Sequence, residues 1–303
     1  MTEAPPVAEP GPAELPPSGR GVPSRILEFF FFPLVIVAVG VGIFVLFGLI
    51  TAEGKAPRDY VSLIRSGDSN RRWQAEFELS KVMAVPRDRR PPDPRLADEM
   101  VSLFEESGSD DPRVRRFLAL ALGRLGDARA VPALLAYLRA MERGEGGDTE
   151  TPVYAIWALG AIGDERATPE LLALATHDDP GFRKTAVHAL GAFGSAEATA
   201  ALETALGDPV GDVRWNAALA LARRGHPGAV PVLEQMLDRQ QLAGVTPEQA
   251  DEILLQAIAG AAHVEDARLA ARLEALGRDD PSLRVRAAAR RGLEAQGRPE
   301  QTR

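Results

Sequence analysis

Four histidines, a recurring arginine and a few aromatic residues are the side chains from which this 303-residue chain could build chemistry, for it contains no cysteine. His177, His188, His226 and His263 lie far apart and never fall into an HExxH or a paired His-Glu arrangement, so no metal centre is expected. Without cysteine, and with no serine in a G-x-S-x-G elbow, nothing presents an activated nucleophile, and no catalytic residue is assigned. Gly40-Val41-Gly42 and Gly144-Glu145-Gly146-Gly147 fall short of a phosphate-binding loop, which leaves no cofactor and no small-molecule substrate to predict. The arginines Arg72, Arg115, Arg183, Arg214 and Arg286 recur in one setting and could form an anion-binding ladder. The alternative is that each pairs with an aspartate of its own or an adjacent turn, such as Asp111, Asp179 or Asp208. The second reading is preferred, because stacked units depend on contacts with their neighbours.

The elements that position these residues follow from a repeat. Glycines Gly126, Gly163, Gly194 and Gly225 close successive units at steps of 37, 31 and 31 residues. A leucine stands four residues before each (Leu122, Leu159, Leu190, Leu221) and another eight after it (Leu134, Leu171, Leu202, Leu233). Val131, Leu134, Leu135 and Leu138 have the i, i+3, i+4, i+7 spacing of an amphipathic helix, and Pro132, Pro169 and Pro231 suit first-turn positions. Turns such as Asp178-Asp179-Pro180 and Asp208-Pro209 then open a second helix that begins at the arginine and ends at the glycine, where a left-handed conformation would close it.

Asp111-Pro112-Arg113-Val114-Arg115, Ala121-Leu122-Gly123-Arg124-Leu125-Gly126-Asp127 and Ala130-Val131-Pro132-Ala133-Leu134-Leu135 resemble the HEAT-repeat superfamily, in particular its HEAT-like repeats of the phycobilisome-lyase type. The pattern returns at Ala158-Leu159-Gly160 and Ala189-Leu190-Gly191, degenerates around Arg72-Trp73-Gln74-Ala75, and loses its glycine in a sixth unit, where Glu265 stands instead. The resemblance implies an all-α superhelix of about seven units over residues 58–297. It also implies that second helices line the concave face, which places Trp73, Trp157, Trp215 and Tyr154 on or beneath that face. Trp157, in an otherwise apolar helix, is expected in the interior. Arg116, Tyr154, Lys184, His188, Trp215 and Asn216 form the predicted strip for a protein partner, where an uncovered aromatic would act as an anchor. Helical-repeat iron hydroxylases depend on His-Glu pairs, and this chain has none. Phycobilisome-lyase relatives join a bilin to a partner's cysteine, so a bilin-lyase-like enzyme or enzyme subunit is the alternative to a non-catalytic scaffold.

The N-terminal sequence has a different character. Residues 1–25 hold seven prolines and read as a disordered tail. Residues 26–50 are apolar with Glu28 as their only ionisable side chain, long enough at about 1.5 Å per residue to span a bilayer core of roughly 30 Å as a single-pass transmembrane helix. Residues 51–57 are a linker and 298–303 a short tail. Lys55, Arg58 and Arg65 after the span outweigh Arg20 and Arg25 before it, which points the repeats to the cytoplasmic side, with a periplasmic location as the alternative. From residue 56 onward the chain has 32 basic and 38 acidic side chains, a poor balance for nucleic acid.

Overall fold

The computed structural model describes residues 35, 37–39, 41–43, 57–66, 69–85, 93–107, 112–145 and 148–297. Two units divide the chain, Met1–Lys55 and Ala56–Arg303. In the first, the described residues are helical, and Val35, Val37, Val39, Val41 and Ile43 are exposed. The tail 1–25, residues 51–56 of the 51–57 linker, residues 298–303 and the rest of the 26–50 run lie outside the described residues, while Pro57 already begins a helix. Among the described residues no helix is long and apolar enough to cross a membrane.

The second unit contains fourteen α-helices and no strand among its described residues. They pair as α1 (Pro57–Ser66) with α2 (Ser69–Ala84), α3 (Leu96–Glu106) with α4 (Pro112–Leu125), α5 (Val131–Glu142) with α6 (Thr151–Ile162), and α7 (Thr168–Leu174) with α8 (Pro180–Leu190). The remaining pairs are α9 (Ala196–Ala205) with α10 (Gly211–Ala222), α11 (Val230–Met236) with α12 (Pro247–Ala261), and α13 (Ala267–Asp279) with α14 (Leu283–Gln296). The repeating leucines form the spine of this stack. All eight, from Leu122 to Leu233, are completely buried, and burial of each contributes about 2 kcal/mol. In the sixth unit Ala261 takes the place of the first leucine while Leu273 keeps the second.

Helix starts behave as the residue types dictate. Pro132, Pro169 and Pro231 occupy the first turns of α5, α7 and α11. Asp127 and Asp164 each accept a backbone N–H two residues on and open a 3-10 turn before α5 and α7, while Asp179 caps α8. The Asp164 carboxyl is held at about 2 by the Arg166 side chain and backbone N–H. Helix ends are less uniform. Gly126, Gly163 and Gly225 take positive φ (67°, 71° and 67°), but Gly194 does not. Helix α8 stops at Leu190, and Arg224 from the next unit donates to the carbonyls of Gly191 and Phe193. A side chain thus satisfies groups that a left-handed glycine would otherwise help satisfy. At the glycine-less sixth unit, Gln296 does the same for the carbonyls of Ala261 (2.8 Å) and Val264 (2.9 Å).

Successive second helices approach each other closely along the stack. Glycine makes this approach possible. A Cβ at Gly123 would lie 2.7 Å from the Ala158 Cα, and one at Gly160 would lie 2.6 Å from both Cα and Cβ of Ala189. Gly160→Leu should therefore destabilise the solenoid by about 3 kcal/mol through overpacking, whereas Gly194→Ala, which meets nothing within 4 Å, should change stability by less than about 0.5 kcal/mol. Urea unfolding followed by circular dichroism separates the two; equal midpoints would contradict the packing described.

The C-terminal end is closed by a clamp. Arg239 donates from Nε and Nη2 to both carboxylate oxygens of Asp280 (2.8 and 2.9 Å) and from Nη2 to Asp251 (2.5 Å). The Asp280 side chain is only 1% exposed. Arg239→Ala strands that carboxylate and should cost about 3 kcal/mol, read as a lowered urea midpoint, with Arg239→Ala/Asp280→Ala recovering part of the loss.

Candidate functional site

The recurring arginines have a structural assignment. Arg183 grips Asp208 of the next turn with two hydrogen bonds (2.8 and 3.1 Å) and also donates to the carbonyls of His177 and Asp178. Arg214 reaches the carbonyls of Asp208 (2.7 Å) and Pro209, Arg286 those of Asp280 and Pro281, and Arg72 that of Ile64 (2.7 Å). Arg115 donates to the Ser107 hydroxyl at the end of α3 and lies 5.3 Å from the Tyr137 ring centroid. Each arginine therefore secures the turn that leads into its own helix. Arg183 pairs with an aspartate side chain as expected, whereas Arg214 and Arg286 cap backbone carbonyls of their turns. Asp110 and Asp111 lie outside the described residues.

The second helices leave a trough along their exposed side. One part, of about 420 Å³, is lined by Leu120 of α4, Val153, Tyr154 and Trp157 of α6, Lys184, Thr185 and His188 of α8, and Asn216 of α10. A second part, of about 340 Å³, shares Trp157 and His188 and continues over Gly160, Ala161, Ala189, Gly191 and Ala192 to Arg223. Small residues on α6 and α8 keep this part open.

Four of the six residues of the predicted strip, Tyr154, Lys184, His188 and Asn216, come together in the trough. Arg116 is turned aside into ion pairs with Asp148 (3.3 Å) and Glu150. Burial would raise the Asp148 carboxyl, but hydrogen bonds from Thr151, the backbone N–H groups of Glu150 and Thr151, and the nearby Arg116 charge bring it below its ordinary value. Trp215 is half-buried and packs against the core. The side chain of Trp73 lies outside the described residues.

Trp157 departs from its expected place in the interior. It is half-buried and borders both parts of the trough, because a Cβ at Gly123 would meet its ring at 2.7 Å and no larger side chain covers that site. Arg223 was not singled out in the sequence, yet it occupies the analogous setting: its Nη2 would lie 2.7 Å from a Cβ at Gly191. The register of Gly123, Gly160 and Gly191 within Ala-Leu-Gly was the available signal. A glycine at or near the end of the second helix leaves a seat for a side chain from the following unit.

His188 is exposed on the trough surface and only partly screened by its neighbours. That partial screening lowers its pKa, the Arg223 charge lowers it further, and a hydrogen bond with Asn216 opposes both. Lys184 and Asp212 form an exposed pair at 3.4 Å, a contact worth little in water. Among the described residues no cluster of three or more His, Asp or Glu is placed to hold a metal ion. The trough offers hydrogen-bonding groups, positive charge and an aromatic wall, which suits it to recognition.

Comparison with known proteins identifies the repeats. Residues 141–215 and 195–246 match the family model for HEAT repeats, and residues 114–140 match the PBS lyase HEAT-like repeat. These matches run over residues 114–246 of the all-helical repeat solenoid. No curated protein matches the chain. Among solved structures it is similar to the complex of CpcE and CpcF of phycocyanin lyase from Nostoc sp., with 22% identity, 80% of this chain and 94% of that chain covered, and a TM-score of 0.48. It is also similar to an archaeal HEAT-like repeats protein from Thermococcus onnurineus (14%, 80% and 97%, TM-score 0.43) and to human deoxyhypusine hydroxylase (18%, 83% and 99%, TM-score 0.34).

The partial screening of His188 has a direct readout. Its proton NMR titration should show a midpoint below the ordinary value of about 6.5, and Arg223→Gln should move that midpoint upward. A midpoint at or above the ordinary value in the unmodified protein would contradict the arrangement.

Proposed function

We propose that this chain is a membrane-anchored HEAT-repeat scaffold that holds a protein partner in the trough of its second helices and performs no catalysis itself. The observation that carries this reading is the convergence of Tyr154, Trp157, Lys184, His188 and Asn216, contributed by three successive second helices, on one open surface. Such an arrangement spreads contact over several units, as solenoid recognition does. Tyr154 and Trp157 supply rigid aromatic area of the kind that dominates interface energetics.

The anchor is residues 26–50. The length of this apolar run supports the assignment, as does the exposure of Val37, Val39, Val41 and Ile43, side chains that water solvates poorly and lipid would cover. The basic residues that follow the span favour a cytoplasmic solenoid. Tethering would raise the local concentration of a partner beside the bilayer, so modest affinity would suffice. A bilin-lyase-like activity is the second reading, and the match of residues 114–140 to the PBS lyase HEAT-like repeat is what favours it.

Detergent solubilisation, affinity purification and mass spectrometry test the scaffold. Lys184→Glu/Asn216→Arg should lose proteins that the unmodified chain retains, while deletion of residues 26–50 should move the chain to the aqueous fraction with those partners still bound. An unchanged partner set in the trough variant would refute the binding surface. A visible absorbance shift on adding phycocyanobilin would move the balance to the second reading.

A further inference from the structure

The trough contains a charge that the fold does not use. Arg183, Arg214, Arg224, Arg239 and Arg286 all spend their guanidinium groups on carbonyls or carboxylates of the solenoid. Arg223, at the edge of the trough, does not. It leaves the end of α10 beside Arg224, but the two diverge: Arg224 turns in to the carbonyls of Gly191 and Phe193, whereas Arg223 lies over Gly191 at the edge of the trough. Its side chain makes no hydrogen bond or ion pair recorded among the described residues. Partial burial and the Arg224 charge depress its pKa, so its position is electrostatically unfavourable in the free protein.

No aspartate or glutamate lines either part of the trough, in a chain that carries an acidic excess overall. Lys184 lines the trough as a second cation, paired with the exposed Asp212. Between them stands His188, held towards its neutral form and able to accept or donate one hydrogen bond. Leu120, Val153 and Trp157 provide apolar walls.

We propose that the trough receives an extended acidic peptide segment of a protein partner, with one carboxylate held by the Arg223 guanidinium, another by Lys184, and an apolar residue between them against Trp157. This rests on the reading of the trough as the partner-binding surface and names the chemistry of its occupant. The planar fork of arginine matches a carboxylate with two parallel hydrogen bonds, which supplies the partner the fold withholds. Desolvation by the apolar walls strengthens that pair relative to one in open water. A peptide fits better than a nucleic acid: one unpartnered arginine and one lysine fall short of the basic face that phosphate backbones require.

The test uses the full chain in detergent micelles and fluorescein-labelled peptides of alternating Glu and Leu, with Gln-Leu and Lys-Leu counterparts, measured by fluorescence anisotropy. The Glu-Leu peptide should bind about tenfold more tightly than the Gln-Leu peptide, and Arg223→Gln should reduce that ratio to near one. Arg278→Gln, which removes an exposed arginine from α13, should leave the ratio intact. The Glu-Leu peptide should also shift the His188 NMR signals, which locates binding in the trough. Because Arg223 makes no contact that the fold needs, Arg223→Gln should keep the urea midpoint, and loss of binding then cannot be ascribed to unfolding. Equal binding of Glu-Leu and Gln-Leu peptides, tighter binding of Lys-Leu, or an unchanged ratio in Arg223→Gln would each overturn the proposal. If acidic selectivity is absent while Lys184→Glu/Asn216→Arg still loses its cellular partners, the occupant is wrong and the binding surface stands. If those partners also persist in the double variant, both fall.

Discussion

The fourteen short helices among the described residues of the repeat unit present many helix ends, and every C-terminal end exposes backbone carbonyls that must find donors. This requirement governs the repeat more than any side-chain chemistry does. Where an arginine opens the second helix it answers this need for the preceding turn, as Arg72, Arg183, Arg214 and Arg286 reach the carbonyls of their own units. At the far end, left-handed Gly126, Gly163 and Gly225 close three units. Where that conformation is absent, Arg224 and Gln296 arrive from the next unit to supply the donors. The second solution binds neighbours together, because the donor and the acceptors belong to different units.

Small residues in the second helices set the spacing and, through it, the working surface. Gly160 brings α6 and α8 close enough for backbone to meet Ala189, and the same economy of volume leaves a trough once the helices have packed. Trp157 and Arg223 each lie over a glycine of the preceding unit, an aromatic surface in one case and a cation in the other. Packing and recognition share one cause: an absent side chain admits a neighbouring helix on one side and a partner on the other.

Charge is distributed with the same division. Several arginines and aspartates pair within the stack, and the buried Asp280 with Arg239 is the extreme case, joining the turns inside the last two units. What remains unpaired along the trough is cationic, while the chain as a whole is acidic. A local field opposite in sign to the net charge favours orientation of an acidic partner at that surface.

The helical repeat was legible in the sequence because its signals are local. Leucine four before and eight after each glycine, proline in the first turn and aspartate at the cap act within one or two turns of helix, and the eight leucines are indeed the buried spine. Part of the site was legible for the same reason, since Tyr154, Lys184, His188 and Asn216 follow from which helix faces outward. What only the tertiary structure decided concerns groups separated by a whole unit: that Trp157 borders the trough, that Arg116 is taken by Asp148, that Gly194 keeps an ordinary backbone conformation under Arg224, and that Arg223 is left without a partner. The sequence period places each residue on a helix face, but an arginine or tryptophan reaches beyond its own unit, and which neighbour it meets depends on the distance between helices. That distance is set by glycine contacts between units, a property of the assembled stack.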